Sequence, residues 1–136
     1  MAVTAANTVG KGWFSIDFTG VAAATGGAIA SVLNPEGANI IVTNAILYIA
    51  TNSTGAANLT IGIGTSATTD YNDMVTATAM AAAAGKVYTA AAISASIATE
   101  ITAPGVWLST EYVNITGSGS TVGLTGTLYI EYLRLA

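Results

Sequence analysis

Cysteine and histidine are both absent from the 136 residues, and lysine and arginine together number only 3. Without cysteine there is no disulfide, no thiolate zinc site and no iron–sulfur cluster. Without histidine there is no Ser-His-Asp or Cys-His nucleophile, no imidazole metal ligand and no histidine acid–base step. Lys11, Lys86 and Arg134 against 7 acidic residues leave a net charge of -4, which disfavours nucleic acid, whose phosphates demand clustered Lys and Arg.

Long apolar runs are lacking too. Residues 38–50 form the most apolar stretch, but it contains Asn39, Thr43 and Asn44 and falls short of the ~20 apolar residues a spanning helix needs. Lys86 and many hydroxyls interrupt the longer alanine-rich stretch at 77–98, so no membrane partner is expected. No basic segment followed by an apolar core opens the chain, and no signal peptide is expected.

Charge of either sign is scarce, at 7% of residues beside a hydrophobic fraction of 52%, where ordinary soluble domains carry about 25% charged residues. Alanine, threonine, glycine and serine fill the difference. Such a surface is small, neutral and rich in hydroxyls, and it suits close contact with neighbours. The length fits one domain able to bury roughly two-thirds of its unfolded surface.

What is present is β-forming sequence divided by turns. Asn34-Pro35-Glu36-Gly37 is a turn, with proline presetting φ and glycine tolerating a positive one. Residues 40–49 are dense in β-branched and aromatic residues, with Ile40, Val42, Ile46 and Tyr48 on one face of a regular strand and Ile41, Ala45, Leu47 and Ile49 on the other. Both faces ask for burial, which places this strand mid-layer or under a partner subunit. After a second turn at Asn52-Ser53-Thr54-Gly55, residues 57–63 alternate apolar and polar, so residues 33–64 read as a hairpin.

Residues 1–12 read as an extended arm and residues 13–136 as one domain. Trp13 to Phe18 forms a short aromatic strand with Phe14, Ile16 and Phe18 inward; residues 28–33 form another. Residues 73–84 have the alanine content of a short helix, with Asp73 as its N-cap, but Thr76 and Thr78 are poor helix formers. Val87-Tyr88-Thr89 starts an edge strand, and residues 90–98 fit strand or helix. Gly117-Ser118-Gly119-Ser120 separates the strand at 112–116 from the last one, where Val122, Leu124, Leu128, Ile130 and Tyr132 share a face. Many strands, Gly, Pro, Asn and Ser turns and no sustained helical period give an all-β class, an antiparallel β-sandwich of jelly-roll type.

Candidate chemistry is thin. Asp70-Tyr71-Asn72-Asp73 holds two carboxylates, short of the 6 to 8 oxygens of a calcium site, and reads as a solvated loop. Glu111 and Glu131 would need to lie about 5 to 10 Å apart to act as a glycosidase pair. Asn52, Asn58 and Asn114 head glycosylation patterns, best explained by chance in a threonine-rich chain. Trp13, Trp107, Tyr112 and Tyr129 suit either a sugar-stacking platform or core and interface anchors. Gly62-Ile63-Gly64 lacks the lysine and helix of a phosphate loop. No catalytic residue, metal or cofactor is expected.

The stretches NPEGANIIVTNAILYIATNSTGAANLTIGIG and GLTGTLYIEYLRL, together roughly half the chain, resemble in pattern the capsid decoration (auxiliary head) proteins of tailed bacteriophages. The resemblance implies a non-enzymatic virion protein, made in the host cytoplasm, that binds the exterior of the head through the major capsid protein and is often a homotrimer. Self-association is then expected at Ile41, Leu47, Ile49 and Tyr129, and capsid contact at Val3, Thr4, Val9, Lys11 and Trp13. A carbohydrate-binding or adhesive module on a virion or cell surface is the alternative. A β-rich hydrolase using Asp70, Asp73, Glu111 or Glu131 is a remoter one.

Overall fold

The computed structural model describes residues 11–89 and 105–135. Nine strands run in order: β1 (Lys11–Thr19), β2 (Gly27–Leu33), β3 (Ile40–Thr51), β4 (Asn58–Gly64), β5 (Val75–Ala79), β6 (Val87–Thr89), β7 (Gly105–Trp107), β8 (Tyr112–Gly117) and β9 (Thr125–Arg134). They form two sheets, ordered β1-β9-β3-β6 and β2-β8-β4-β5, with β7 also pairing β3. All pairs are antiparallel, and they nest: β1 with β9, β2 with β8, β3 with β6 and β7, β4 with β5. This is the jelly-roll winding, one long ribbon of paired strands rolled until its turns meet as β3·β9 and β4·β8. Strands β6 and β7 share one edge of β3, facing residues 46–48 and 40–42.

The winding corrects the expected hairpin. β3 and β4 lie in different sheets, so residues 52–57 make a corner across the sandwich. Its polar groups are met by distant segments: Ser53 N–H donates to the Met80 carbonyl and Thr54 N–H to the Val122 carbonyl. Residues 118–124 likewise cross between sheets, and Val122 is exposed in that turn, outside the strand face it was expected to share.

A second correction concerns β3. Its register against β9 shifts between Val42 and Asn44, a bulge in which one extra residue reverses the facing of everything after it. Ile40 and Val42 point inward before it, and Ala45, Leu47 and Ile49 point inward after it. The two apolar faces expected of a regular strand thus become one continuous core face, and Leu47 and Ile49, both 0% exposed, have no surface left for another chain. Ile41, Ile46 and Tyr48 face outward.

Among the described residues there is no helix. Residues 73–84 contain β5, tied to β4 by Met74 N–H on the Ile61 carbonyl and Met80 N–H on the Ala57 carbonyl. Asp73 accepts the Ile63 N–H at 2.8 Å instead of capping a helix. Lys11 and Gly12 pair with Leu133 and Tyr132, so the strand starts two residues inside the expected arm. Residues 1–10 and 90–104 lie outside the described residues.

The core fills the space between the sheets with Leu47, Ile49, Leu128 and Ile130 from one and Leu59, Ile61, Val113 and Ile115 from the other. Trp107 closes one end, its Nε1–H donating to the Glu111 carbonyl at 2.8 Å. Buried Asn34 donates there to the Ala38 and Trp107 carbonyls.

Candidate functional site

The outer face of the β1-β9-β3 sheet carries more than half of the exposed large apolar side chains among the described residues. In register across β1, β9 and β3, the outward rows are Trp13–Glu131–Asn44, Ser15–Tyr129–Ile46, Asp17–Thr127–Tyr48 and Thr19–Thr125–Thr51; Leu133 and Ile41 pair in the row beyond Trp13. Val106 of β7 extends that last row, and Val87 of β6 extends the Tyr48 row. Trp13, Tyr48, Val87, Val106 and Tyr129 are five of the nine exposed large apolar side chains among the described residues. All five belong to this one face.

The aromatics form a line. Trp13, Tyr129 and Tyr48 each sit one row further along on the next strand, and such diagonal neighbours stand about 7–8 Å apart. Ile46, Ile41 and Leu133, each half-buried, fill the ground beside them. Polar groups interspersed on the face are already engaged: the Thr127 hydroxyl donates to Asp17 at 2.7 Å, the Thr43 hydroxyl to Glu131 at 2.8 Å, and the Thr51 and Thr125 hydroxyls lie 2.6 Å apart. A face rich in exposed aromatic and aliphatic side chains, interspersed with polar groups bonded to one another, has the composition of a protein-binding patch.

Of the residues expected to self-associate, Ile41 and Tyr129 lie on this face, while Leu47 and Ile49 lie in the core. Of those expected to meet a capsid, Trp13 lies on it at 48% exposure, Lys11 opens β1, and Val3, Thr4 and Val9 fall outside the described residues. Ile46, Tyr48, Val87, Val106 and Leu133 join the patch without having been singled out, since the bulge in β3 carries no mark in the sequence.

Of the four aromatics that suit a sugar platform, only Trp13 and Tyr129 share this face. Trp107 is 0% exposed, and Tyr112 is on the other sheet, opposite Leu33 and Gly64. The carboxylates are dispersed as well. Glu111 accepts the Leu108 N–H within its own turn, Glu131 stands on the outer face, and Asp70 accepts the Thr60 hydroxyl. No group of three Asp or Glu side chains suited to a metal occurs among the described residues, and no helix there is long and apolar enough to cross a membrane.

The Asp70–Asp73 segment is nonetheless ordered by its contacts. The loop at 65–74 lies on the outer face of the second sheet, over two glycines that leave room for it: a Cβ on Gly62 would meet Asp73 Oδ1 at 2.3 Å, and one on Gly64 would meet Tyr71 Cζ at 2.1 Å. Buried Asn114 holds it, donating to the Ser66 and Thr69 carbonyls at 2.8 Å each and accepting the Ser31 hydroxyl at 2.6 Å. Asn114 is therefore no glycan acceptor. The Ser66 N–H donates to the Tyr71 phenol at 3.1 Å and holds its pKa below the ordinary value. Sequence alone marks this site only by the Gly62-Ile63-Gly64 spacing.

No protein family, no curated protein and no solved structure matches the chain.

Proposed function

We propose that this chain is a non-enzymatic structural protein of a virion, which self-associates and binds the exterior of a tailed-phage capsid lattice to stabilise it. The observation that carries the reading is the outer face of the β1-β9-β3 sheet, where five large apolar side chains are left in solvent on one flat surface. Isolated monomers rarely leave such patches uncovered. The low charge of the whole chain supports the same reading.

The face supplies the surface, and the sequence resemblance supplies the partner and the preference for a trimer. Jelly rolls serve in viral capsids and also in lectins, so the fold alone does not choose between them. The flanks of the aromatic line support a protein partner. Ile41, Ile46, Leu133 and Val106 offer a sugar no hydrogen bond, whereas neighbouring subunits gain by burying them, at about 25 cal/mol per Å². Because it binds the assembled shell only, each copy shifts the equilibrium toward that state.

Co-sedimentation with expanded phage heads stripped of their decoration tests the proposal. Saturable binding that raises the temperature at which heads open is the expected result. A chain that stays monomeric and leaves the heads bare contradicts it, and retention on a glycan array would favour the carbohydrate-binding reading.

A further inference from the structure

The four edges of the sandwich are not equally guarded. An edge strand presents unpaired N–H and C=O groups to any chain that can pair with them, and folds blunt this with bulges, short strands, prolines or inward charges. β2 is bulged between Ala28 and Ala30, and β5 carries a register shift against β4. β6 and β7, which share the third edge, are 3 residues each among the described residues. β1 is less guarded: its 9 residues pair with β9 without a register shift, no proline interrupts it, its inward positions are Gly12, Phe14, Ile16 and Phe18, and its two charged residues, Lys11 and Asp17, are at outward positions. Among the described residues no strand pairs with its other edge.

We propose that the edge of β1 left unpaired among the described residues is a self-association site that pairs antiparallel with β1 of a second copy about a two-fold axis at Ser15. Inward and outward faces stay matched only when the paired residue numbers sum to an even value, because a one-residue slip exchanges the faces. Centring on Ser15, the middle of the strand, pairs all 9 residues. Phe14 then faces the partner's Ile16, a favourable aromatic and β-branched pair. Phe18 covers the partner's Gly12, the rescue of a glycine by an aromatic neighbour. Trp13 faces Asp17, Ser15 faces its own copy, and no like charges stand opposite. Half-buried Phe14 would be enclosed on its open side.

This deepens the assembly reading and rests on it, yet uses the backbone edge of β1 that borders the outer face. A two-fold contact joins copies in pairs, and where three copies meet through their outer faces it links one trimer to the next.

The cysteine-free chain makes the register directly testable. Opposed residues of an antiparallel pair have Cα atoms about 4.5–5.5 Å apart, within disulfide range. The exposed variant Ser15→Cys should therefore give a disulfide-linked dimer under mild oxidation. Asp17→Cys should not, because each Asp17 lies four residues from its counterpart, about 13 Å. Ser15→Lys should weaken association by about tenfold or more by placing like charges opposite, and mixing it with Ser15→Glu should restore it. Equal crosslinking of both cysteine variants, no crosslinking of Ser15→Cys, or a wild-type chain monomeric at about 1 mM overturns the edge contact. Tyr48→Glu, two strands from β1, separates the two readings: loss of capsid binding with Ser15→Cys crosslinking intact supports both. Capsid binding lost with Ser15→Lys, restored on mixing with Ser15→Glu and kept by Tyr48→Glu assigns assembly to the edge and removes the outer face from it.

Discussion

Trp13 of β1 and Tyr129 of β9 are diagonal neighbours on the outer face of one sheet, Trp13 facing Glu131 and Tyr129 facing Ser15. They are exposed by 48% and 40%, and no side-chain hydrogen bond engages either of them among the described residues. Two large aromatic rings side by side in water gain most from a partner that covers both.

Replacing Tyr129 or Tyr48 with glutamate should weaken self-association or capsid binding by about tenfold or more, as truncating an aromatic anchor does. Folding stability should change by no more than about 0.5 kcal/mol, since both residues are exposed. Sedimentation and chemical denaturation together check this; a parallel loss of stability and binding would count against a surface role.

The bulge in β3 makes an asymmetric prediction for neighbouring aliphatics. Leu47→Ala removes a fully buried side chain and should cost about 2–5 kcal/mol. Ile41→Ala, outward and half-buried, should cost about 1 kcal/mol or less. Denaturant midpoints measure both, and equal losses would mean that β3 lacks the bulge.

Asn114→Ala leaves the Ser66 and Thr69 carbonyls and the Ser31 hydroxyl without their partner. A loss of about 1–3 kcal/mol is expected, with residues 65–74 becoming the first site of limited proteolysis. Cleavage elsewhere at the same rate as in the parent would contradict the role assigned to Asn114.

Ala77 has φ of 45°, the left-handed region that costs a non-glycine residue roughly 1 kcal/mol. It lies where residues 76 and 77 bulge against β4. Ala77→Gly should raise stability slightly, by a few tenths to about 1 kcal/mol, and Ala77→Val should lower it. A stabilising valine would contradict the backbone geometry.

Tyr132 donates its hydroxyl to Glu36, and this bond, with burial, raises its pKa above the ordinary phenol value. The folded state therefore holds the phenolic proton longer than the unfolded state, and the associated stability, complete below pH about 10, is lost as pH rises through the folded pKa. Tyr88, raised by burial, acts in the same direction, and Tyr71 opposes them. Tyr132→Phe should flatten part of the alkaline fall in melting temperature; an unchanged fall would remove Tyr132 from it.

Much of the fold is legible in the chain's alternation, and its failures have physical causes. Residues 124–132 keep strict period two because β9 meets β1 with no register shift, so Leu124, Leu128 and Ile130 are core. β3 departs from the same rule because its bulge at Val42 to Asn44 depends on how β9 pairs with it, a non-local fact. The turns at Asn34, Asn52 and Gly117 are correctly placed, but turn chemistry says only that the chain reverses and not which sheet receives it. Of the outer face, Tyr129 and Trp13 are legible as aromatics at outward positions. Tyr48 and Ile46 are visible only once the bulge is known, and Val87 and Val106 only once β6 and β7 are seen to share the edge of β3.

The most direct measurement is an electron-microscopy reconstruction of phage heads incubated with the chain. The account predicts added density on the capsid exterior, with Trp13, Tyr129 and Tyr48 buried against a neighbouring subunit or the lattice. Undecorated heads, or bound copies whose β1-β9-β3 outer face points into solvent, would contradict it.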